Sequence, residues 1–200
     1  MTAFGPKDAD AWYERNKHKL GDDDPVMEAI TGVLDGTGPI TKVFEFGCAN
    51  GWRLSRIRGR YGSDVWGSEI SPKACRDALL DPKVKMNLEP AIGSCDLVIM
   101  GFCLYVIQPD SLTYWVHYAD KILADGGHIV IWDFLPDHPY SRIFEHNKEL
   151  RSRKCDHAQL WLAHPAYSLV RRDIYGDGDD RTHVTILRKD MANAFPLMEG

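Results

Sequence analysis

Apolar residues in this chain gather in short runs separated by stretches of helical spacing, the order expected of parallel strands with helices between them. Strands are expected over residues 43–46, within 63–71, and over 84–86, 95–100 and 128–134. Val26, Met27, Ile30 and Val33 make one stripe of a helix over 25–34, and Trp52, Leu54 and Ile57 open a second. Ser71-Pro72 starts a third, carrying Ala74, Cys75, Ala78 and Leu79 and stopped at Asp81-Pro82. The longest helix, over 110–124, carries Leu112, Trp115, Ala119 and Ile122; Asp110 or Ser111 can cap it, and Asp125-Gly126-Gly127 closes it. Two last strands, 166–175 and 180–189, are joined by the hairpin signal Gly176-Asp177-Gly178-Asp179.

The first strand carries the most specific chemistry. It leaves Glu45-Phe46-Gly47 through Cys48, Ala49 and Asn50 to Gly51, where a helix opens and free backbone N–H groups can face a ligand. Dinucleotide sites place a glycine where Glu45 stands. A carboxylate there repels a pyrophosphate but can take up the ammonium of a bound amino acid, directly or through water. S-adenosylmethionine carries an amino acid where NAD carries phosphates. Glu69 ends the second strand eighteen positions past Gly51, where an acid receives ribose hydroxyls in nucleoside-binding α/β folds.

At these residues the chain resembles the class I S-adenosylmethionine-dependent methyltransferases, with Glu45 to Gly51 matching the first motif and Glu69 the second acid. The likeness covers about residues 40–189. Within that superfamily, Trp12-Tyr13-Glu14-Arg15-Asn16, the segment Leu104-Tyr105-Val106-Ile107-Gln108-Pro109 and His164-Pro165-Ala166-Tyr167 look like small methylases encoded beside nonulosonic (pseudaminic) acid sugar genes. The resemblance implies an α/β, Rossmann-like methyltransferase fold. Its seven-stranded, mostly parallel sheet has a final antiparallel strand and helices on both faces. It also implies S-adenosyl-L-methionine as cofactor, held by Glu45, Gly47, Ala49, Asn50, Gly51, Glu69 and Ile70. The adenine is expected by the loop after the third strand, at Asn87 and Leu88, with Asn87 or Glu89 reaching its amino group. Phe102, after the fourth strand, sits at the topological switch point and should border cofactor and substrate. The Asn/Asp-Pro-Pro-Tyr/Phe segment of base-modifying DNA methyltransferases is missing from that loop, which weakens a DNA amine as acceptor.

One domain over residues 1–200 is expected, with 1–24 as a leader over the cofactor and 135–164 as a substrate-side insertion. Tyr13 and Arg15 are placed near the methionine end; the alternative is a helix whose aromatic face covers the core. In the insertion, His138 is the first candidate base, because imidazole titrates near neutrality. Tyr105 and Tyr140 are the candidates for hydrogen bonding around the methyl group. Arg142, His146, Arg151, Arg153 and Lys154 make a basic stretch suited to an anionic small molecule such as a carboxylated or nucleotide-linked sugar. A solvated loop with a surface helix is the competing reading.

The net charge of −5 argues against a nucleic-acid partner. Five cysteines without Cys-x-x-Cys spacing read as reduced core residues, and no apolar run reaches membrane-spanning length, so a soluble cytoplasmic protein is expected. No His, Cys, Asp and Glu cluster has metal spacing, although His138, His146 and His157 share the insertion. Two other functions stay open: a nicotinamide-dependent sugar oxidoreductase or epimerase, disfavoured by Glu45 and by the lack of a Tyr-x-x-x-Lys pair, and a catalytically silent S-adenosylmethionine-binding partner protein. Oligomeric state and acceptor identity are not encoded in any motif.

Overall fold

The computed structural model of the chain describes residues 3–22, 24–78 and 83–196. Asp23, Leu79 and the Asp81-Pro82 stop lie outside them. The leader is largely helical: α1 (Pro6–Asn16) runs into a 3₁₀ segment (Lys17–Lys19). Then come α2 (Pro25–Leu34), β1 (Lys42–Phe46), α3 (Trp52–Tyr61), β2 (Asp64–Ser68), α4 (Pro72–Ala78), β3 (Val84–Met86) and β4 (Cys95–Gly101). After α5 (Pro109–Ile122) and β5 (Leu123–Phe134), a hairpin of β6 (Tyr140–Phe144) and β7 (Asn147–Lys154) precedes α6 (Gln159–Leu162), β8 (Tyr167–Tyr175) and β9 (Thr182–Lys189).

Seven strands form one sheet in the order β3-β2-β1-β4-β5-β9-β8, and only β9 runs against its neighbours. This is the Rossmann-like arrangement the sequence implies. The central strands read as continuous apolar runs because both of their faces are covered. In β4, Leu97 and Ile99 pack with Val26, Ile30, Leu54 and Ile57 of α2 and α3, while Val98 and Met100 pack with Ala119 and Ile122 of α5. The strand order reverses between β1 and β4, so their carboxyl ends lie side by side, with Phe46 in register with Met100.

Several local readings hold. Asp24 caps α2 by accepting the Val26 N–H at 3.2 Å, and Ser71 Oγ caps α4 by accepting the Ala74 N–H at 3.1 Å. Others change. Helix α5 starts one residue earlier, at Pro109 behind Gln108, so Asp110 and Ser111 lie in its first turn and do not cap it. Asp125-Gly126-Gly127 closes no helix: it falls within β5, where Leu123 already pairs with Cys95 and a bulge before the Leu97–His128 pair takes up the extra residues. Half of the insertion, residues 140–154, is a separate two-stranded sheet, and the rest is loop with the short helix α6. At the far edge β8 pairs with β9 alone, bulges between Leu169 and Arg171, and exposes Leu169, Val170 and Ile174.

Gly67 shows how tightly the first turn is seated. It faces Glu45 across the β1–β2 pair, and a Cβ there would stand 2.4 Å from Cys48 Sγ and 2.9 Å from Leu54 Cδ1. Replacing Gly67 by Ala is therefore expected to lower the unfolding free energy by roughly 1–3 kcal/mol, as other overpacked cores do. Urea denaturation would show this as a lower midpoint at constant m; an unchanged midpoint would mean that Cys48 and Leu54 have room to move.

Candidate active site

A cavity of about 550 Å³ lies between α1 and the carboxyl ends of β1, β2 and β4. Its base is the turn after β1. Gly47 has φ +63°, and a Cβ there would stand 3.0 Å from Cys103 Cβ, so a side chain would crowd the neighbouring loop. Three non-glycine residues in the described chain have left-handed backbone: Ala49 (φ 51°), Asn87 (φ 52°) and Phe102 (φ 59°). All three line this cavity. Such conformations cost on the order of 1–3 kcal/mol each and persist only where surrounding contacts fix them. Ala49 donates its N–H to Glu69 Oε2 at 2.9 Å, Asn87 donates to the Gly67 carbonyl at 2.7 Å, and Phe102 donates to the Trp132 carbonyl at 2.7 Å. The Phe102 ring is further wedged among Tyr105, Trp132 and Phe134, with centroids 4.9–5.3 Å away.

Glu69 lies on the cavity wall with both oxygens held: Ala49 N–H on one, Ser71 N–H at 2.7 Å on the other. Burial raises its carboxyl above the usual range, and these N–H bonds oppose the rise. Asn87 Oδ1 in turn accepts the Glu69 N–H at 2.8 Å, so the ends of β2 and β3 are tied together at the cavity. Ile70 also lines it. Tyr13 reaches it from α1, buried against Ala49 and Ala74, with its hydroxyl donating to Asp77 Oδ2 at 2.7 Å.

Other expected cofactor residues stand elsewhere. Glu45 is fully buried beneath the turn and does not line the cavity. One of its oxygens is bonded to Arg53, which also donates to Asp24 Oδ2 at 3.0 Å; the other has no partner. Burial pushes the Glu45 carboxyl up to about 7, against the pull of Arg53. Asn50 and Gly51 lie behind the lining, Gly51 as the residue before α3, and Leu88 points into solvent. Arg15 faces a second cleft instead.

That cleft, about 860 Å³, opens between α1 with its 3₁₀ extension and the β6–β7 hairpin. Trp12 and Tyr105 line both spaces and form their common wall. Tyr105 sits in the 3₁₀ turn Leu104–Val106, which Asp133 of β5 anchors by accepting the Tyr105 N–H at 3.2 Å. Burial raises the Tyr105 phenol, with Asp133 adding to the effect, so it is neutral at physiological pH. His138 is exposed and lines neither space, and Tyr140 donates its hydroxyl to the Asp179 carbonyl at 3.1 Å, also outside both linings. Among the described residues no His, Cys, Asp and Glu group is arranged to hold a metal, and no helix is long and apolar enough to cross a membrane.

Residues 7–172 match the sequence model of a methyltransferase domain. The chain belongs to this methyltransferase family. No curated protein matches it. Among solved structures, this methyltransferase is similar to the Burkholderia thailandensis 1,6-didemethyltoxoflavin-N1-methyltransferase, crystallised with its acceptor and S-adenosylhomocysteine. Identity is 16%, coverage 95% of this chain and 92% of that one, and the TM-score 0.66. NodS, an N-methyltransferase from Bradyrhizobium japonicum also bound to S-adenosylhomocysteine, gives 17%, 88%, 97% and 0.61 in the same order. The [4+2]-cyclase SpnF gives 10%, 95%, 98% and 0.68. At these identities the structural likeness speaks for the fold. With the family match, the enzyme is an S-adenosyl-L-methionine-dependent methyltransferase. The apolar cavity and the carboxylate at the end of β2 fit that nucleoside cofactor.

Sequence reasoning assigned no site role to Arg53, Asp24, Gln108 or Asp133. One signal for the first pair was available: a carboxylate in an apolar strand demands a buried cation, and Arg53 stands one helical position into α3. Asp133 gives a pH test. Burial pushes it up to about 7 against three backbone N–H bonds, while His157 Nδ1, 3.6 Å from it, is held down to about 4 by its own burial and stays neutral. A native acid pKa raised above the unfolded 3.8 means the folded state keeps a proton the unfolded chain has lost. That contribution is complete below the unfolded pKa and disappears as pH rises through about 7. Between pH 5 and 7 the stability of Asp133→Asn should thus fall less steeply than that of the native chain, by up to about 1.4 kcal/mol per pH unit. Parallel slopes in urea titrations across that range would contradict it.

Proposed function

We propose that this methyltransferase binds its cofactor in the cavity under α1 and methylates a small polar acceptor, with a sugar or sugar-nucleotide hydroxyl as the reacting group. The observation that carries the reading is Glu69, a carboxylate on the cavity wall with each oxygen fixed by a backbone N–H and outer lone pairs left for ribose hydroxyls. Bound S-adenosylmethionine supplies a methyl group activated by its sulfonium. The protein then has to align the acceptor, exclude water and hold one proton's worth of hydrogen bonding. Tyr13 and Phe102 shield the cavity from opposite sides. Asn87, at the end of β3, serves the adenine side. Tyr105 is the residue at the methyl end: its neutral phenol oxygen accepts a hydrogen bond from the acceptor hydroxyl and turns that hydroxyl's lone pair toward the methyl group. As the O–CH3 bond forms and the S–CH3 bond breaks, the hydroxyl proton passes to solvent water through the adjoining cleft. Its place on the wall shared by both spaces supports this role over one for His138. The likeness to methylases of nonulosonic acid genes fits a carboxylated sugar.

A nitrogen acceptor is the second reading. The ionisable side chains lining the cavity in the described chain are Tyr13, Glu69, Cys103 and Tyr105, and burial raises all four. An amine needs only its neutral form and no base. Two of the similar structures carry the name N-methyltransferase or N1-methyltransferase.

Calorimetric titration with S-adenosylhomocysteine should give micromolar binding that weakens roughly tenfold or more in Glu69→Ala, while NAD gives none. Binding of NAD in its place would return the oxidoreductase reading. With labelled S-adenosylmethionine and a panel of sugars, uronates, sugar phosphates and amines, Tyr105→Phe should keep the cofactor affinity but lose at least about tenfold in transfer rate. Equal losses of rate and cofactor affinity would remove Tyr105 from the acceptor side.

A further inference from the structure

The cleft beside Tyr105 is lined by basic and aromatic side chains. One wall, from α1 and its extension, contributes Arg15 and Lys19; the other, from the hairpin, contributes Arg142 and Lys154. Glu145 and Asp180 are the acids in the lining, so four cations face two carboxylates in a chain of net charge −5. Asp180 is already engaged: Lys154 pairs with it, and Arg142 stands 3.7 Å from it. Lys154 is further occupied by the Phe134 ring, 3.7 Å below its ammonium. Arg15 and Lys19 make no ion pair among the described residues, and Arg15 is half-buried. Between the walls lie the rings of Trp12, Tyr105, Phe134 and Phe144.

The two walls are fixed to each other. At the hairpin tip Asn147 Nδ2 donates to Asp8 Oδ1 of α1 at 2.9 Å, and Phe144 packs edge-on against Phe4 at 5.9 Å. Trp12 and Arg15, three positions apart, share one helix face. A group held by Arg15 therefore presents the rest of its molecule to Trp12 and Tyr105, the wall through which this cleft meets the cavity.

We infer that this cleft is the acceptor subsite and that Arg15, assisted by Lys19, binds an oxyanion of the acceptor, a phosphoryl or carboxylate group, with the aromatic floor carrying its ring. This rests on the methyltransferase reading of the neighbouring cavity. A planar guanidinium without a carboxylate partner meets two oxygens of either group in parallel. The reacting atom then lies on the far side of the acceptor from its charge.

The test is an NMR titration of the full-length, isotopically labelled chain saturated with S-adenosylhomocysteine. Inorganic phosphate and malonate are added separately, with ionic strength held constant by sodium chloride. Saturable shifts are expected at Arg15 Nε–H and Trp12 Nε1–H with at least one anion. Response to phosphate alone assigns a phosphoryl group, and response to malonate alone a carboxylate. In the Arg15→Gln/Lys19→Gln double variant the Trp12 midpoint should move up roughly tenfold or more, because a charge-assisted pair is lost. The Gly47 and Gly101 amides, which line the cofactor cavity, should respond to S-adenosylhomocysteine as before and show that the fold is intact. No saturable shift with either anion, or an unaltered Trp12 midpoint in the double variant, would overturn the assignment. If S-adenosylhomocysteine moves neither glycine amide, the cofactor reading falls, and the same anion titration on the free protein still judges the cleft.

Discussion

The ion pairing of Arg53 between Asp24 and Glu45 is the interaction on which the cofactor end of this fold rests. It joins the start of α2, the end of β1 and the first turn of α3 at one buried point. Two carboxylates share one guanidinium, one Glu45 oxygen has no partner, and all three side chains are nearly inaccessible. Removing one partner from such an arrangement leaves a stranded charge, which costs roughly 3–5 kcal/mol in comparable buried sites. The motif acid thus acts beneath the turn. Its position sets where Gly47 and Ala49 sit, and the exposed wall of the cavity is made by other groups.

On that base the cavity is shaped more by backbone than by side-chain functional groups. Ala49, Asn87 and Phe102 come from the ends of three different strands, and each holds a conformation that an isolated peptide avoids. Hydrogen bonds from one strand end to the next hold them: Ala49 to Glu69, Glu69 to Asn87, Phe102 to the carbonyl of Trp132. Strain concentrated around one cavity is the mark of a preformed ligand site.

Much of this was readable in advance, for a physical reason. Strands covered on both faces announce themselves as apolar runs, so β1 and β4 fell close to their expected places. The glycines and acids at the ends of β1 and β2 had no alternative explanation as strongly patterned. The junction of α5 with β5 was not readable, because Leu123 satisfies the helical stripe as well as the strand; pairing with Cys95 decides it, and that partner is remote in sequence. The hairpin hid for a different reason. The buried positions of β7 are Leu150, Ser152 and Lys154, so its alternation shows only one apolar residue. Arg15 was grouped with Tyr13 although residues two apart on a helix face different ways, and the structure separates them into two spaces. His138 follows the carboxyl end of β5 as expected, but position along a strand does not fix which way the connection turns.

Strand β8 bears on how the molecule behaves in a crowded solution. It offers an unpaired edge of nine residues, with Leu169, Val170 and Ile174 in the open, and an exposed edge of that kind is a template for a neighbouring chain. The bulge at Val170 breaks the regular spacing of its hydrogen-bonding groups, and the Arg171–Asp173 pair sets charge beside the apolar residues. These features guard against aggregation and touch neither the cavity nor the cleft. Drift in their sequence would be felt first as lost solubility, while every group that handles a ligand stayed in place.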